Sequence, residues 1–332
     1  MILLTGATGF LGRHIVSQLQ QHLHARGSDM RCVRAVVRPD SDTGLLEAAG
    51  AKLVTVSDIN RRRELEEACR GCRRVIHAAA LFRMWGRLPN FWRTNVGGTA
   101  AVLEAARRAG VERFVHVSTA VVVGRPRPGA IVDETHPCEP QDFYQRTKLE
   151  AEQLALAYHR NCGLPVTVVR PGALYGPWGR YAFNRLFFED PLRGWRIKVR
   201  GGHHLTFPAY APDVARGILS ALERGRAGRI YNLSGQSLTH NAINDTISDL
   251  AGISRRRLNV PTPAVLLLAR AWTALSRFTG REPFYPTNLV HYVFQDWPLS
   301  SERARRELSF QTTPFRNGAR ETIKWYWEQG LL

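Results

Sequence analysis

No apolar run in this chain approaches the roughly 20 residues that a helix needs to cross a bilayer. A membrane-spanning helix is therefore not expected. Repeats of fixed period and low-complexity tracts are missing as well, which argues against a solenoid or a linker protein. The opening residues read as a buried strand rather than as a charged leader with an apolar core. No cleaved secretory signal is expected, and the cytoplasm is the expected location. Cysteine is sparse and odd in number, five in all, so no disulfide framework is implied. Cys69 and Cys72 have redox spacing, but no second pair completes a metal site. They read as packing at a helix end, and no metal is expected.

Lysine is nearly missing too: Lys52, Lys148, Lys198 and Lys324 stand alone among 46 lysines and arginines. The net charge of +18 therefore rests on arginine. Strong positive charge can signal nucleic acid, an anionic membrane or an anionic substrate. Here arginine is spread along the chain and often set beside acids, as in RRRELEEACRGCRR. Nucleic acid is not the expected partner, whereas peripheral contact with an anionic membrane stays open.

With 332 residues, 44% of them hydrophobic, the chain can bury a large core in one domain or two joined ones. Apolar, β-branched runs at 2–4, 31–37, 52–56, 75–77, 114–117, 166–169 and 229–233 alternate with helical patterns at 9–24, 61–69, 91–109, 144–161 and 212–223. That order predicts an α/β fold with a parallel, doubly wound sheet covered by helices on both faces. Ligands are then expected at the carboxyl ends of the strands. The alternation stops after Pro171, and the chain from Gln236 reads as separate helices. The expected division is a nucleotide-binding domain of 1–174 with 207–235, and a smaller, mainly helical substrate lobe of 175–206 with 236–332.

Gly6, Gly9 and Gly12 follow the first strand and open the first helix. Glycines permit a tight turn and close backbone approach, and a helix N-terminus attracts a diphosphate. The loop with Thr8, Phe10 and Leu11 therefore predicts a dinucleotide site. An NAD-selective site usually has an acid at the tip of the second strand. This sequence places Arg38 there, with Asp40 and Asp42 following. A guanidinium suits a 2′-phosphate through bidentate contacts, so NADP(H) is favoured and NAD(H) stays open. Asp58, with Ile59 beside it, is expected against the adenine.

Tyr144 and Lys148 lie four apart on a predicted helix and share a face. A phenol with a pKa of about 10 is a poor acid or base near neutrality. An ammonium one turn away, with a cationic nicotinamide nearby, favours the phenolate, so Tyr144 can exchange a proton with a carbonyl oxygen while hydride moves at carbon. Ser118 and Thr119 end another predicted strand and offer hydroxyls to the same oxygen.

Taken together, TGATGFLG, HAAA at 77–80, TNVGGTAAVLEAA at 94–106, VSTAVVVG at 117–124, YQRTK at 144–148 and RPGALYGP at 170–177 resemble the extended short-chain dehydrogenases/reductases. FRMWG at 82–86 and LSRFTGREP at 275–283 are similar to the dihydroflavonol-reductase-like and 3β-hydroxysteroid-dehydrogenase-like branch, which includes bacterial proteins labelled hopanoid-associated sugar epimerases. The resemblance implies that Tyr144 is the acid/base and that Lys148 holds the nicotinamide ribose. Thr119, five residues before Gly124, would steady the substrate oxygen, ahead of Ser118. Ala78, Ala79, Ala80, Asn95, Pro171 and Gly172 would line the cofactor, and a homodimer through the helices flanking Tyr144 is common among such proteins.

Sugar-nucleotide dehydratases of this kind carry Asp-Glu after the hydroxyl residue, where this chain has Ala120 and Val121. Epimerases commonly carry an arginine-aspartate pair where Thr206 and Phe207 stand. A helix expected over 264–278, apolar on most sides with Arg270 and Arg277 seven apart, reads as a core or lid helix or as one that dips into lipid. Phe82, Trp85, Tyr175 and Trp178 are the expected substrate contacts. The sequence thus predicts a secondary alcohol/ketone oxidoreductase for a sterol-, hopanoid- or flavonoid-like molecule, with coupled decarboxylation compatible. An epimerase with transient use of the cofactor is the alternative. A cofactor-sensing scaffold, the third reading, tends to lose the tyrosine–lysine pair that this chain keeps.

Overall fold

A computed structural model describes residues 1–280 and 282–332; Arg281 and the side chain of Arg277 lie outside the described residues. Seven strands form one parallel sheet: β1 (Ile2–Thr5), β2 (Val33–Val37), β3 (Lys52–Thr55), β4 (Arg74–His77), β5 (Arg113–Val117), β6 (Val166–Pro171) and a last strand, Ile230–Leu233. Their order across the sheet is last strand, β6, β5, β4, β1, β2, β3. Strand order therefore reverses between β1 and β4, and the crevice at their carboxyl ends is where a nucleotide binds in such sheets.

Neighbouring residues of a strand face opposite ways, and both faces of this sheet are covered. Leu3, Val75 and Phe114 pack on one side with Leu65, Val102 and Leu103. Leu4, Ile76 and Val115 pack on the other with Ile15, Leu19 and Ile218. This double burial is why the strands read as unbroken apolar runs. Cys69 and Cys72 are buried free thiols in the first of these layers, and burial raises the pKa of both.

The helical stretch expected over 91–109 is divided. A short helix, Leu88–Phe91, runs into a π-helical turn, Trp92–Gly97, before the α-helix Gly98–Arg108. The wide turn carries Asn95, which is 1% exposed. The helix Phe143–Cys162 is capped by the Asp142 side chain, which accepts from Gln145 N at 2.8 Å, and it stops at the left-handed Gly163.

Beyond β6 the chain builds a second apolar cluster from Phe183, Phe188, Ile243, Ile247, Ile323 and Tyr326. Tyr175, expected at the substrate, stands inside it at 2% exposure, with the rings of Phe315 and Phe188 at 5.2 and 5.9 Å. Its aromatic surface is used up by the lobe's own core. Ala304, Leu308 and Phe310, which the expected division assigns to the lobe, pack in the main sheet layer with Ile15 and Ile218. The helix expected over 264–278 spans Thr262–Thr279. No described helix is long and apolar enough to cross a membrane.

Candidate active site

The glycine loop is shaped by contacts that a side chain would destroy. Gly6 has a φ of +75°, and a Cβ there would stand 2.7 Å from the backbone of Ala78 and Ala79. At Gly12 a Cβ would strike the carbonyl oxygen of Gly6. Helix Phe10–His24 then starts at Gly9 with no side-chain cap and no acid in its first turn. Its first N–H groups are left for an external acceptor. The loop thus fits the diphosphate of a dinucleotide.

A cleft enclosing about 1580 Å³ of empty space, its open mouth included, begins at this loop. Gly6, Gly9, Phe10, Leu11 and Gly12 line it, as do Ala78, Ala80, Pro171, Gly172, Ser118, Thr119, Tyr144, Lys148 and Phe82. The cleft therefore brings together most of the residues singled out from the sequence. Thr8, Arg38, Asp58, Ile59, Ala79, Asn95, Trp85, Tyr175 and Trp178 do not line it.

Several of these act from behind the wall. Asn95 accepts from Leu81 N at 2.7 Å and donates to Leu81 O at 3.2 Å and to Thr147 Oγ1 at 3.1 Å. It thereby ties the segment after β4 to the Phe143–Cys162 helix. His77 is buried between Thr5 Oγ1 at 2.8 Å and Thr99 Oγ1 at 2.9 Å. Because Thr99 donates to Asn95 O at 2.6 Å, it must accept from His77 Nε2, and His77 Nδ1 then accepts from Thr5. Thr5 in turn accepts from Ala79 N at 3.2 Å. Burial pushes the His77 pKa down to about 3, so the ring is neutral and this chain of bonds is fixed.

Where the sequence leads one to expect the adenosine end, Thr8 O accepts from Arg13 Nε at 3.5 Å, and Arg13 also pairs with Asp42 at 2.8 Å. Arg38 follows β2 directly, and its exposed guanidinium has no ion-pair partner among the described residues. Asp58 lies three residues beyond β3, accepts from Asn60 N and Asn60 Nδ2 at 2.9 and 2.8 Å, and also pairs with Arg93. Those bonds hold its carboxyl below the usual range. Ile59 packs against the Gly98 backbone. Trp178 lies outside the cleft, its ring 4.7 Å from His14.

At the other end, Lys148 is 3% exposed and its Nζ donates to Val117 O at 2.7 Å. Burial pushes its pKa down to about 8, against the pull of Glu152. Tyr144 shares a hydrogen bond with Thr119, and burial raises its pKa above the ordinary phenol value. The expected lowering by Lys148 is therefore not a property of the protein alone, because desolvation outweighs everything nearby. Ser118 lines the cleft, but its hydroxyl donates to Glu152 Oε2 at 2.6 Å. Glu152 is held from its other side by Arg170, in a pair 2% and 3% exposed. Of the two hydroxyls, Thr119 is the one bonded to Tyr144.

Met84, Tyr181, Phe183, Leu186, Phe187, Phe207, Tyr292 and Val293 also line the cleft, and of these sequence reading missed Tyr292 and Val293. They come from irregular or short elements, where no periodicity marks a pocket. Tyr292 donates to the capping Asp142 at 2.5 Å, joining the lobe to the start of the Tyr144 helix. Both arginines on the cleft wall are engaged by carboxylates, Arg180 with Glu189 at 3.1 Å and Arg83 with Glu282 at 3.9 Å.

Residues 2–234 match the NAD dependent epimerase/dehydratase family. The chain is 34% identical, over 92% of its length and 90% of the relative's, to the 4-hydroxy-2-methyl-3-oxo-4-farnesyl-3,4-dihydroquinoline-1-oxide ketoreductase of Stigmatella aurantiaca. It is 31% identical, over 99% of both chains, to sterol demethylase protein B of Methylococcus capsulatus. Its fold matches a dTDP-glucose 4,6-dehydratase of Streptomyces venezuelae, solved with NAD bound, at a TM-score of 0.78 and 27% identity over 98% of this chain and 97% of that one. A glycine loop before an uncapped helix, a tyrosine and lysine one turn apart in the same cleft, and these matches agree: the chain belongs to the NAD dependent epimerase/dehydratase family of extended short-chain dehydrogenases/reductases and is an NAD-dependent enzyme of that family.

Proposed function

We propose that this enzyme is an NADP(H)-dependent oxidoreductase that interconverts a secondary alcohol and a ketone on a hydrophobic substrate. The observation that carries the reading is the wall around Tyr144. It is built from Phe82, Met84, Phe183, Leu186, Phe187 and Phe207, and its two arginines are already paired. Among the described residues, neither of that wall's arginines is left without a carboxylate, which disfavours the diphosphate of a sugar nucleotide. An isoprenoid, sterol-, hopanoid- or flavonoid-like body finds apolar surface instead. The relatives named as a ketoreductase and a sterol demethylase protein support the same substrate class. Arg38 supports NADP(H), since a 2′-phosphate would supply the acceptor its guanidinium lacks.

The bound cofactor supplies or accepts a hydride. Tyr144 and Thr119 hold the substrate oxygen with their hydroxyls, and Tyr144, kept protonated by burial, gives its proton to that oxygen as negative charge develops there. Lys148, fixed by the Val117 carbonyl, keeps a positive charge under the same oxygen at neutral pH. In the oxidising direction Tyr144 takes the proton back. Asn95 and Tyr292 are positioning residues, since they touch the Tyr144 helix and not the reacting atoms.

The outward face of the Thr262–Thr279 helix exposes Leu267, Leu268, Leu275 and Phe278 beside Arg270, which with the charge of +18 supports peripheral contact with an anionic membrane. Exposed Trp92 and Phe143, beside the π turn and the Tyr144 helix, support a homodimer at that face. A second reading, an epimerase that retains its dinucleotide, draws on the match to the dTDP-glucose 4,6-dehydratase fold.

The test is loss of NADPH absorbance when farnesylacetone, an apolar isoprenoid ketone, is added to the purified enzyme. Turnover with farnesylacetone and none with UDP-glucose or dTDP-glucose supports the reading; conversion of a sugar nucleotide without net NADPH loss overturns it.

A further inference from the structure

A second cavity, with about 860 Å³ of empty space, lies beside the catalytic cleft and is not used by the mechanism above. That figure includes the open space at the cavity's mouth. Five side chains line both spaces: Leu186, Phe187, His240, Leu289 and Val293. Among the described residues, these side chains stand between the two spaces, at the neck. The far wall is apolar, formed by Trp195, Ile197 and Val199 on one side and by Val290 and Phe294 on another. Its roof is the Thr262–Thr279 helix, which turns Val265, Leu266 and Ala269 inward while Leu267, Leu268, Leu275 and Phe278 face out at 69%, 51%, 57% and 88% exposure. The helix is thus apolar on both sides, as a cover between a lipid-like interior and an apolar exterior would be.

Lys198, His240, Asn244 and Tyr285 are the polar side chains on its wall among the described residues. Tyr285 donates to Asp190 at 2.9 Å. His240 sits at the neck, its ring edge-on to Phe187 at 5.2 Å, and its buried Nε2 has no hydrogen-bond partner. A buried, unpartnered ring nitrogen between the two spaces is a place for one polar contact.

We propose that this chamber is a tail site. It holds the flexible apolar chain, isoprenoid or alkyl, of the molecule whose carbonyl is bound by Tyr144 and Thr119. The inference rests on the reading that a ketone is reduced at Tyr144, and it adds that the substrate is long and chain-like, spanning both spaces through the neck. A short or compact ketone would fill the catalytic cleft and leave the chamber empty.

The experiment uses the NADPH-loaded enzyme with cis-parinaric acid as a fluorescent chain probe, competed by farnesylacetone and by its short analogue methylheptenone. Val265→Trp and Val290→Trp fill the chamber from two different walls at residues that do not themselves line the catalytic cleft, and melting curves establish that each variant is folded. The expected result is that each variant binds the probe about tenfold or more weakly while NADPH affinity is unchanged, and that farnesylacetone displaces the probe far better than methylheptenone. Reduction of methylheptenone should be the same in the variants as in the wild type. Probe affinity within about twofold of wild type in both folded variants, or equal displacement by the long and short ketones, overturns the tail site. The two readings fail separately: probe binding blocked by the variants with no ketone ever reduced leaves the tail site standing and removes the reductase, whereas reduction of short and long ketones alike by every variant does the reverse.

Discussion

Replacing Tyr144 with phenylalanine removes one oxygen atom and leaves the rest of the site in place. The ring stays in contact with Phe82, whose centroid is 4.7 Å away. The hydroxyl lost is bonded to Thr119, so folding should lose about 1 kcal/mol, the ordinary net worth of one such bond. In a chain of this size that is a fall of a few degrees in Tm. The effect on catalysis should be far larger. Without a proton donor the developing charge on the substrate oxygen keeps only Thr119 and the charge of Lys148, and general acid catalysis typically contributes about 10²–10⁴ in rate. That corresponds to roughly 3–5 kcal/mol of barrier. Cofactor binding should hardly change, because the glycine loop and the Lys148–Val117 bond do not pass through the tyrosine. The assay pairs initial rates of NADPH-dependent farnesylacetone reduction with NADPH titration by fluorescence. A variant with wild-type kcat, or one that loses NADPH affinity as steeply as rate, would refute the assignment of Tyr144 as the proton donor.

Arg38→Ala should weaken NADPH by about tenfold to a hundredfold, the value of a charge-assisted contact, and leave NADH within about twofold; equal losses for both cofactors would remove the arginine from the 2′-phosphate. Gly12→Ala should abolish nucleotide binding, because its Cβ meets the Gly6 carbonyl, whereas Gly9→Ala, with a 3.3 Å approach to the same atom, should bind more weakly yet measurably. Titration of both folded variants with NADPH checks the order. Lys148 has a pKa pushed below its usual value to about 8, so its charged form is present below that pH and is lost as pH rises through it. The rate of reduction should therefore fall above about pH 8, and Lys148→Arg, which does not titrate, should shift or remove that limb. Vesicles containing phosphatidylglycerol should sediment with the enzyme, and Leu267→Asp with Phe278→Asp should release it; unchanged binding by the double variant would remove the Thr262–Thr279 helix from the membrane contact.

The sheet could be read from the sequence because each strand is buried on both faces and is bounded by turn residues, so 166–169 or 229–233 has no other plausible form. The glycine loop was legible for a related reason: close backbone contacts at Gly6 and Gly12 leave no alternative residue. Tyr144 and Lys148 announce themselves by spacing, the family resemblance singles out Thr119, and the fold brings all three to one cleft. What sequence cannot separate is an aromatic that lines a pocket from one that fills a core. Phe82 and Tyr175 look alike in sequence, yet one reaches the cleft and the other lies among Phe183, Phe188 and Phe315. Ser118 has the right residue type beside the right strand end, but a glutamate from the neighbouring helix takes its hydroxyl, and no local pattern reports that. The π turn that buries Asn95 was likewise hidden inside what reads as one long helix. The helices His240–Ala251, Glu302–Leu308 and Phe315–Glu328 were legible only as a helical remainder, because their faces are set by a lobe without a repeating plan.

The most direct test of the account is to denature the purified enzyme, identify any nucleotide it releases, and titrate the washed protein with NADPH and NADH. A reductase that exchanges its cofactor at each turnover should release little nucleotide and bind NADPH reversibly, more tightly than NADH. Near-stoichiometric, tightly held NAD(H) would contradict the account, since it is what an epimerase that recycles its own hydride retains.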